Sequence, residues 1–274
     1  MEEENTTNLF TMEELYRIIK EQITTSILNY ITKDKEPATF HPLDYMIKEQ
    51  RRIRSKVGGL ETSLGQSFWE KLAKSIASKN GFLVKKQRLQ KPTHNLSKLE
   101  EVRDGLIEDR GTIGVTAQEV NDRIKSTCQR YLKNKIENFS DSKKGVGVDI
   151  WLYKNETNYL YDIKTVQPNM AKFNSLYEQI VDWYIYFYAQ FPDQSVECRI
   201  VFPYNPYQNK NFWDCCIGGG RPLEASNEGL VEDEFWDQLS GHTGTGKLIL
   251  DTFKEVAEDK KIQTAFKKFL EKKI

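Results

Sequence analysis

The chain has 274 residues, with 40 basic and 40 acidic side chains and therefore no formal net charge at neutral pH. Its 14 phenylalanines, 13 tyrosines and 5 tryptophans supply enough apolar surface for a hydrophobic core, which excludes a wholly disordered chain. The balanced charge also excludes a histone-like or coat protein, although it permits a locally basic face.

The sequence gives no sign of a membrane or secretory context. No apolar run approaches the roughly 18 residues of a membrane span, and the first residues are acidic rather than basic. The four cysteines have no framework spacing, so we expect reduced thiols and a cytoplasmic location. With three histidines, any metal must be held by carboxylates, which favours a hard ion such as Mg²⁺.

The first third of the chain is predicted to be mainly helical. Apolar side chains at helical spacing predict an amphipathic helix over 12–32. A basic stretch over 48–56, followed by a Gly-Gly pair, predicts a loop. A second helix is predicted to begin at Thr62 and to end at Asn80-Gly81, before a strand over 82–89.

The middle of the chain is predicted to form a sheet preceded by a charged helical insert over 95–138. Two strands, Val146–Tyr153 and Tyr159–Val166, flank a four-residue turn and predict a hairpin. An aromatic helix over 171–190 and a strand over 196–202 follow. A helix between two strands predicts that the last strand returns parallel to the one before it.

No linker or repeat interrupts the chain, so we predict a single domain over residues 1–274. Its core spans about 50–207. The segment 208–274 is a C-terminal elaboration that ends in an amphipathic helix near 250–271.

The predicted hairpin brings carboxylates and a lysine together. Asp162 and Lys164 share one face of the second strand and lie about 7 Å apart along it, because side chains alternate with period two. A short hairpin can also bring Asp149, late in the preceding strand, beside Asp162. Two carboxylates can grip Mg²⁺, which polarises a scissile phosphate, while a lysine orients water or stabilises developing charge. The alternative is a cross-strand surface charge pair, but both strands are otherwise rich in large apolar residues.

These residues carry a family resemblance. Asp149 followed by Asp162-Ile163-Lys164, in the order helix, strand, hairpin, helix, strand, resembles the PD-(D/E)xK nuclease superfamily. The tract 162–169 is similar to the catalytic strand of type II restriction endonucleases, where an Ile-Lys-Thr-x-x-Pro-Asn run is common. Val148 stands where the superfamily has proline, a residue that is not a metal ligand.

The resemblance implies an α/β fold with a restriction-endonuclease-like core, a mixed sheet flanked by helices, and helical N-terminal, insert and C-terminal elaborations. It implies that Asp149, Asp162 and the backbone carbonyl of Ile163 bind Mg²⁺ and that Lys164 is the catalytic lysine. Glu70 is a possible further acid, and its alternative is a solvated helix charge. Glu178 is a possible auxiliary acid on the aromatic helix.

Further segments resemble the TdeIII-type branch, whose members read GGNCC-like or GGWCC-like sites. They are Arg54-Ser55, the tracts 62–65 and 68–70, and the tract 203–207.

Three sets of residues are candidates for DNA contacts, through phosphates or base edges. The alternative for the first set is an ordinary charged helix end. The candidates are Arg51, Arg52, Arg54 and Lys56; Lys143 and Lys144; and Gln167, Asn169 and Lys172.

The sequence therefore predicts a type II restriction endonuclease that hydrolyses double-stranded DNA with Mg²⁺ at a short palindromic site, leaving 5′-phosphates. We expect a homodimer, because protein symmetry mirrors a palindrome, and a cognate DNA methyltransferase as genetic partner. One alternative is a repair or mobile-element nuclease that cuts by structure or without sequence preference. Another is a non-catalytic DNA-binding module.

Overall fold

A computed structural model gives the three-dimensional structure of the chain. It describes residues 10–33, 39–93, 97–131, 139–141, 147–165 and 168–271. The chain divides into two compact units, one comprising Met1–Asn80 with Trp236–Ile274 and the other Gly81–Phe235. The single-domain organisation stays a prediction.

The first unit consists of helices. They are α1 (Met12–Ile31), α2 (Asp44–Ser63), a π-helical segment (Leu64–Phe68) and α3 (Trp69–Lys79). The chain returns to this unit at Trp236, within α8 (Asp233–Ser240), and continues in α9 (Thr245–Glu258) and α10 (Lys260–Glu271).

Helix α1 confirms the first predicted helix. A capping box starts it, in which the Thr11 side chain accepts from the Glu14 backbone N–H while the Glu14 carboxylate accepts from the Thr11 backbone N–H. Leu15, Ile19 and Ile23 follow at four-residue spacing and are fully buried.

The loop predicted over the basic stretch was wrong, because α2 runs through it. Gly59 is needed for close packing: a Cβ there would lie 2.1 Å from the Tyr30 hydroxyl oxygen of α1. That hydroxyl donates to the Lys56 carbonyl at 3.2 Å. The Gly-Gly pair therefore allows two helices to approach instead of ending one.

The second unit is built on a five-stranded mixed sheet. Its strands, in spatial order, are β1 (Leu83–Val84), β4 (Ile150–Lys154), β5 (Thr157–Ile163), β6 (Ser195–Phe202) and β7 (Gly229–Val231). The pairs β1–β4 and β4–β5 are antiparallel, and β5–β6 and β6–β7 are parallel. The hairpin and the parallel return are therefore confirmed, as is the α/β class with a mixed sheet.

A second, two-stranded sheet pairs β2 (Gln90–Pro92) with β3 (Phe139–Asp141). The strand predicted over 82–89 is therefore confirmed only at β1, and β2 begins at Gln90, just after the predicted range.

Helices cover the large sheet within the second unit. They are α4 (Ser97–Thr112), α5 (Ala117–Tyr131), α6 (Met170–Gln190), the short α7 (Phe212–Cys215) and a 3₁₀ turn (Ile217–Gly220). The aromatic face of α6 packs on the sheet through residues such as Phe173 and Phe187, and α4 and α5 pack on α6. Arg110 of α4 ties this layer to Glu228 through two hydrogen bonds of 2.7 and 3.1 Å.

The C-terminal helix predicted near 250–271 is two helices, α9 and α10. Asp259 separates them with an extended backbone and accepts the Lys261 backbone N–H at 2.7 Å. Among the described residues, no helix has the length and hydropathy to cross a membrane.

Candidate active site

The hairpin register sets Asp149 against the end of β5. Ile150 pairs with Tyr161, so Asp149 and Asp162 are the next residues beyond that pair. The Asp149 backbone N–H donates to the Tyr161 carbonyl at 3.0 Å, and its Oδ2 accepts the Ile163 backbone N–H at 2.9 Å. Asp149 lies just before β4, yet both its backbone and its carboxylate are fixed to β5.

Asp162 is buried, with 3% of its surface exposed, and two donors hold its carboxylate. The Lys164 ammonium forms an ion pair with Oδ2, as expected for residues on the same strand face. The Gln179 side-chain amide, reaching from α6, donates to the same oxygen at 3.0 Å. The Lys164 backbone N–H bonds the Val201 carbonyl of β6 at 2.8 Å, which anchors this end of β5.

The electrostatics of the pair follow from this arrangement. Part of the Asp149 residue is exposed, but protein atoms around its carboxylate displace water. This desolvation, and then the negative charge of Asp162, raise the pKa of Asp149 to about 6. Lys164 acts in the opposite direction but does not cancel both effects.

This donor set fits a hard divalent cation. Two adjacent carboxylates, one of them with its pKa raised by desolvation and by the charge of the other, would be stabilised by a nearby cation. Within the described part of the chain, no group of three or more His, Cys, Asp or Glu side chains could hold a metal. Besides carboxylates, a hard divalent cation accepts backbone carbonyl, water and substrate oxygens as ligands.

Gln179 was missed by the sequence reasoning, which considered its neighbour Glu178. Glu178 instead lies 3.6 Å from Arg103 of α4, whereas Gln179 is 3% exposed and contacts Asp162. A signal was available: Gln179 falls three residues after Leu176 and four before Trp183, within the buried stripe of α6. A glutamine at such a position needs a buried polar partner.

Glu70 lies on α3, in the first unit. It forms an ion pair with Lys74 one turn later, and its side chain is about one-third exposed at 36%. This is the arrangement of a solvated helix charge, and a catalytic role for Glu70 stays a prediction.

The basic residues of α2 make local contacts. Arg51 pairs with Asp44, and Arg52 pairs with Glu49. Lys56 is 5% exposed, and its ammonium donates to the Phe269 carbonyl at 2.5 Å. This placement argues against the DNA contact predicted for Lys56.

The candidates after the catalytic strand are only partly described. Asn169 caps α6 by accepting the Lys172 backbone N–H at 2.9 Å, and Lys172 itself is exposed. Lys143, Lys144 and Gln167 lie outside the described residues. Their DNA contacts stay predictions.

Comparison with known proteins defines the relationship. The family model "Type II restriction endonuclease, HinfI" matches residues 5–257. The chain belongs to the HinfI family of type II restriction endonucleases. It is 23% identical over 209 residues to the type II restriction enzyme MjaII of Methanocaldococcus jannaschii, a match that covers 73% of this chain and 54% of that protein.

The HinfI-family chain described here thus spans about half the length of MjaII, the curated relative that it matches. No solved structure gives a significant match. The resemblance to type II restriction endonucleases is confirmed, whereas the TdeIII-type branch and its GGNCC-like site stay predictions.

Proposed function

We propose that the chain is a Mg²⁺-dependent, site-specific deoxyribonuclease that cuts double-stranded DNA and leaves 5′-phosphates. The observation that carries this proposal is the cluster of Asp149, Asp162 and Lys164 at the open end of the β4–β5 hairpin. Membership of the HinfI family supports it, because a restriction endonuclease needs a phosphodiesterase site.

Asp149, Asp162 and the Ile163 carbonyl would hold the Mg²⁺. When bound, the ion would supply polarisation of the scissile phosphate and a more acidic water. Lys164 holds its ammonium beside Asp162, where it can orient the attacking water or stabilise negative charge that develops on the phosphate. Gln179 keeps the Asp162 carboxylate in place from α6.

The substrate face is proposed to continue from the site along the start of α6. Exposed Lys172 can contact a phosphate, and Asn169 is the N-cap residue of α6, the helix that follows β5. A homodimer would read a short palindromic site, and a cognate methyltransferase would protect host DNA. The name of the relative MjaII, a type II restriction enzyme, supports this context.

The test is cleavage of long unmethylated phage DNA with Mg²⁺ or EDTA. The variants are Asp162→Asn and Lys164→Ala, with Glu156→Gln as matched control, because Glu156 is exposed in the turn of the same hairpin. We expect discrete bands with Mg²⁺ from the wild type and the control, and uncut DNA from the two site variants.

Other outcomes separate the alternatives. A smear of fragments would identify a nuclease without sequence preference. Intact DNA in every lane, from folded protein that binds DNA equally in EDTA, would leave a non-catalytic DNA-binding module. Discrete bands from Lys164→Ala at the wild-type rate would refute the assignment of the catalytic lysine.

A further inference from the structure

The exposed side of α2 carries an unusual concentration of apolar side chains. Seven of the twelve large hydrophobic residues exposed in the described part of the chain lie between Phe40 and Val57. Five of these seven lie on α2 itself, and such a concentration marks an interaction surface, since single exposed apolar residues are ordinary but contiguous patches are not.

Two of these apolar residues, Ile53 and Val57, lie on the side of α2 opposite its packed side. The packed side faces α1 and α10 through Lys56 and Gly59, beside the Tyr30 hydroxyl. The opposite side forms a shallow open groove of about 750 Å³. Its central lining is Ile53, Arg54, Val57, Gly58, Glu61 and Thr62, at the three- and four-residue spacing of a single helix face.

The charges of this face complement a second copy of themselves. Arg54 and Glu61 are both exposed, and seven residues place them on one side of the helix, about 10 Å apart. If two α2 helices cross antiparallel about a two-fold axis, Arg54 of each copy meets Glu61 of the partner subunit. The axis then passes between Val57 and Gly58.

The middle of the face is suited to close helix packing. A Cβ added to Gly58 would meet nothing within 4 Å, so this position is open, and it carries no side chain to hold a partner helix away. Val57 beside it, and Ile53 one turn earlier, are 41% and 37% exposed and would be buried by a partner.

DNA fits this face less well. Arg51 and Arg52 pair with acids of their own helix, and Lys56 is buried. Glu61, which lines the groove, would repel phosphates. The apolar side chains around it gain nothing from a polyanion.

We infer that the groove face of α2, centred on Val57 and Gly58, is the surface through which two copies of this chain associate, antiparallel and two-fold symmetric. The inference rests on the proposed function in that a palindrome-reading nuclease needs a symmetric pair. It assigns Arg54 to the partner subunit rather than to DNA.

The test is a charge exchange followed by sedimentation and light scattering of the full chain at micromolar concentrations. Arg54→Glu and Glu61→Arg each replace two attractive contacts with two repulsive ones. Each should raise the dimer dissociation constant by about 100-fold or more, since like charges facing each other cost several kcal/mol. The double variant restores both pairs with reversed sign, and we expect its dissociation constant within about tenfold of the wild type.

Lys48→Glu is the matched control, because Lys48 is an exposed cation of α2 that does not line the groove. It should leave the dissociation constant unchanged. The inference is overturned by a monomeric wild type, by single variants that remain dimeric, or by a double variant that stays monomeric. If the protein is monomeric, and Arg54→Glu lowers its affinity for DNA while Glu61→Arg raises it, the face binds DNA instead.

DNA cleavage by the same preparations keeps the two proposals apart. A wild-type dimer that responds to the charge exchange but never cuts DNA supports this interface and contradicts the proposed activity. A monomer that cuts DNA into discrete fragments supports the activity and removes the interface.

Discussion

Replacing Gln179 with leucine would test whether the α6 amide positions Asp162, the carboxylate proposed to bind Mg²⁺. Leucine is a branched, apolar side chain of similar size, so it can fill this site, where Gln179 is 3% exposed. The change removes the amide donor that lies 3.0 Å from Asp162 Oδ2. Asp162 would retain only Lys164 of its two side-chain donors.

The size of the effect follows from the charge and burial of the acceptor. A hydrogen bond to a charged group contributes about 1.5–3 kcal/mol, and removing a group that orients a metal ligand costs about 10–100-fold in metal affinity or activity. We therefore expect Gln179→Leu to lower cleavage efficiency by about 10–100-fold. The Mg²⁺ concentration for half-maximal rate should rise, because Asp162 is no longer held on two sides.

The assay is the rate of cleavage of a defined DNA fragment over a Mg²⁺ titration, with thermal unfolding of the same protein. Glu178→Gln is the matched control, since it alters the adjacent residue, which faces Arg103 at 3.6 Å. The control should stay within about twofold of the wild type in rate and Mg²⁺ requirement, as expected for an exposed ion pair.

The reasoning is refuted if Gln179→Leu cuts at the wild-type rate with an unchanged Mg²⁺ requirement. A lower melting temperature with an unchanged Mg²⁺ titration would give Gln179 a purely structural role. Equal losses in Gln179→Leu and Glu178→Gln would show that the helix, rather than the amide, is responsible.

Three further predictions concern stability. Without divalent ions, Asp149→Asn should raise the melting temperature at pH 7 but not at pH 4. The pKa of Asp149 in the folded protein, about 6, exceeds its ordinary value of 3.8, so ionisation of Asp149 destabilises the fold as the pH rises from about 4 to 6. A higher melting temperature of the variant at pH 4 would contradict this. Arg110→Leu should lower the free energy of unfolding in urea by about 3–5 kcal/mol, because it leaves the fully buried Glu228 carboxylate without its cation. A decrease under about 1 kcal/mol would argue against the ion pair. Gly59→Ala should lower the free energy of unfolding by about 1–3 kcal/mol, because its methyl group would clash with the Tyr30 hydroxyl. Gly105→Ala, whose methyl group would meet nothing within 4 Å, should raise it by about 0.5–1 kcal/mol, and equal effects of the two variants would be inconsistent with the packing.

The hairpin and its carboxylates were predictable because the information is local. Alternating apolar residues and a turn at Asn155 determine which residues of β4 and β5 face each other, and the register brings Asp149 to Asp162. The parallel return of β6 followed from the intervening helix α6.

The sequence predictions failed where contacts between residues distant in the chain determine the structure. The basic stretch is helical because Gly59 fits beneath Tyr30 and because Lys56 reaches carbonyls more than 200 residues away in the chain. Neither contact has a sequence pattern. Gln179 differs in part: its place in the buried stripe of α6 could be read from the sequence, but its partner Asp162 belongs to another element and could not.

The break between α9 and α10 is a different case. Asp259 is a residue type that favours helix starts, and it caps α10, so the signal was present in the sequence. Continuous amphipathic spacing on both sides concealed it.

The turn of the hairpin lies at the far end from the carboxylates. Asn155 and Glu156 both have positive φ and are exposed, and five paired residues of β4, about 17 Å of strand, separate them from Asp149. Extra chain introduced at this turn would extend into solvent and leave the strand register beside Asp162 untouched. The turn is therefore the natural place to insert an epitope or a fluorescent reporter, and a place where related proteins can differ in length while keeping the same chemistry.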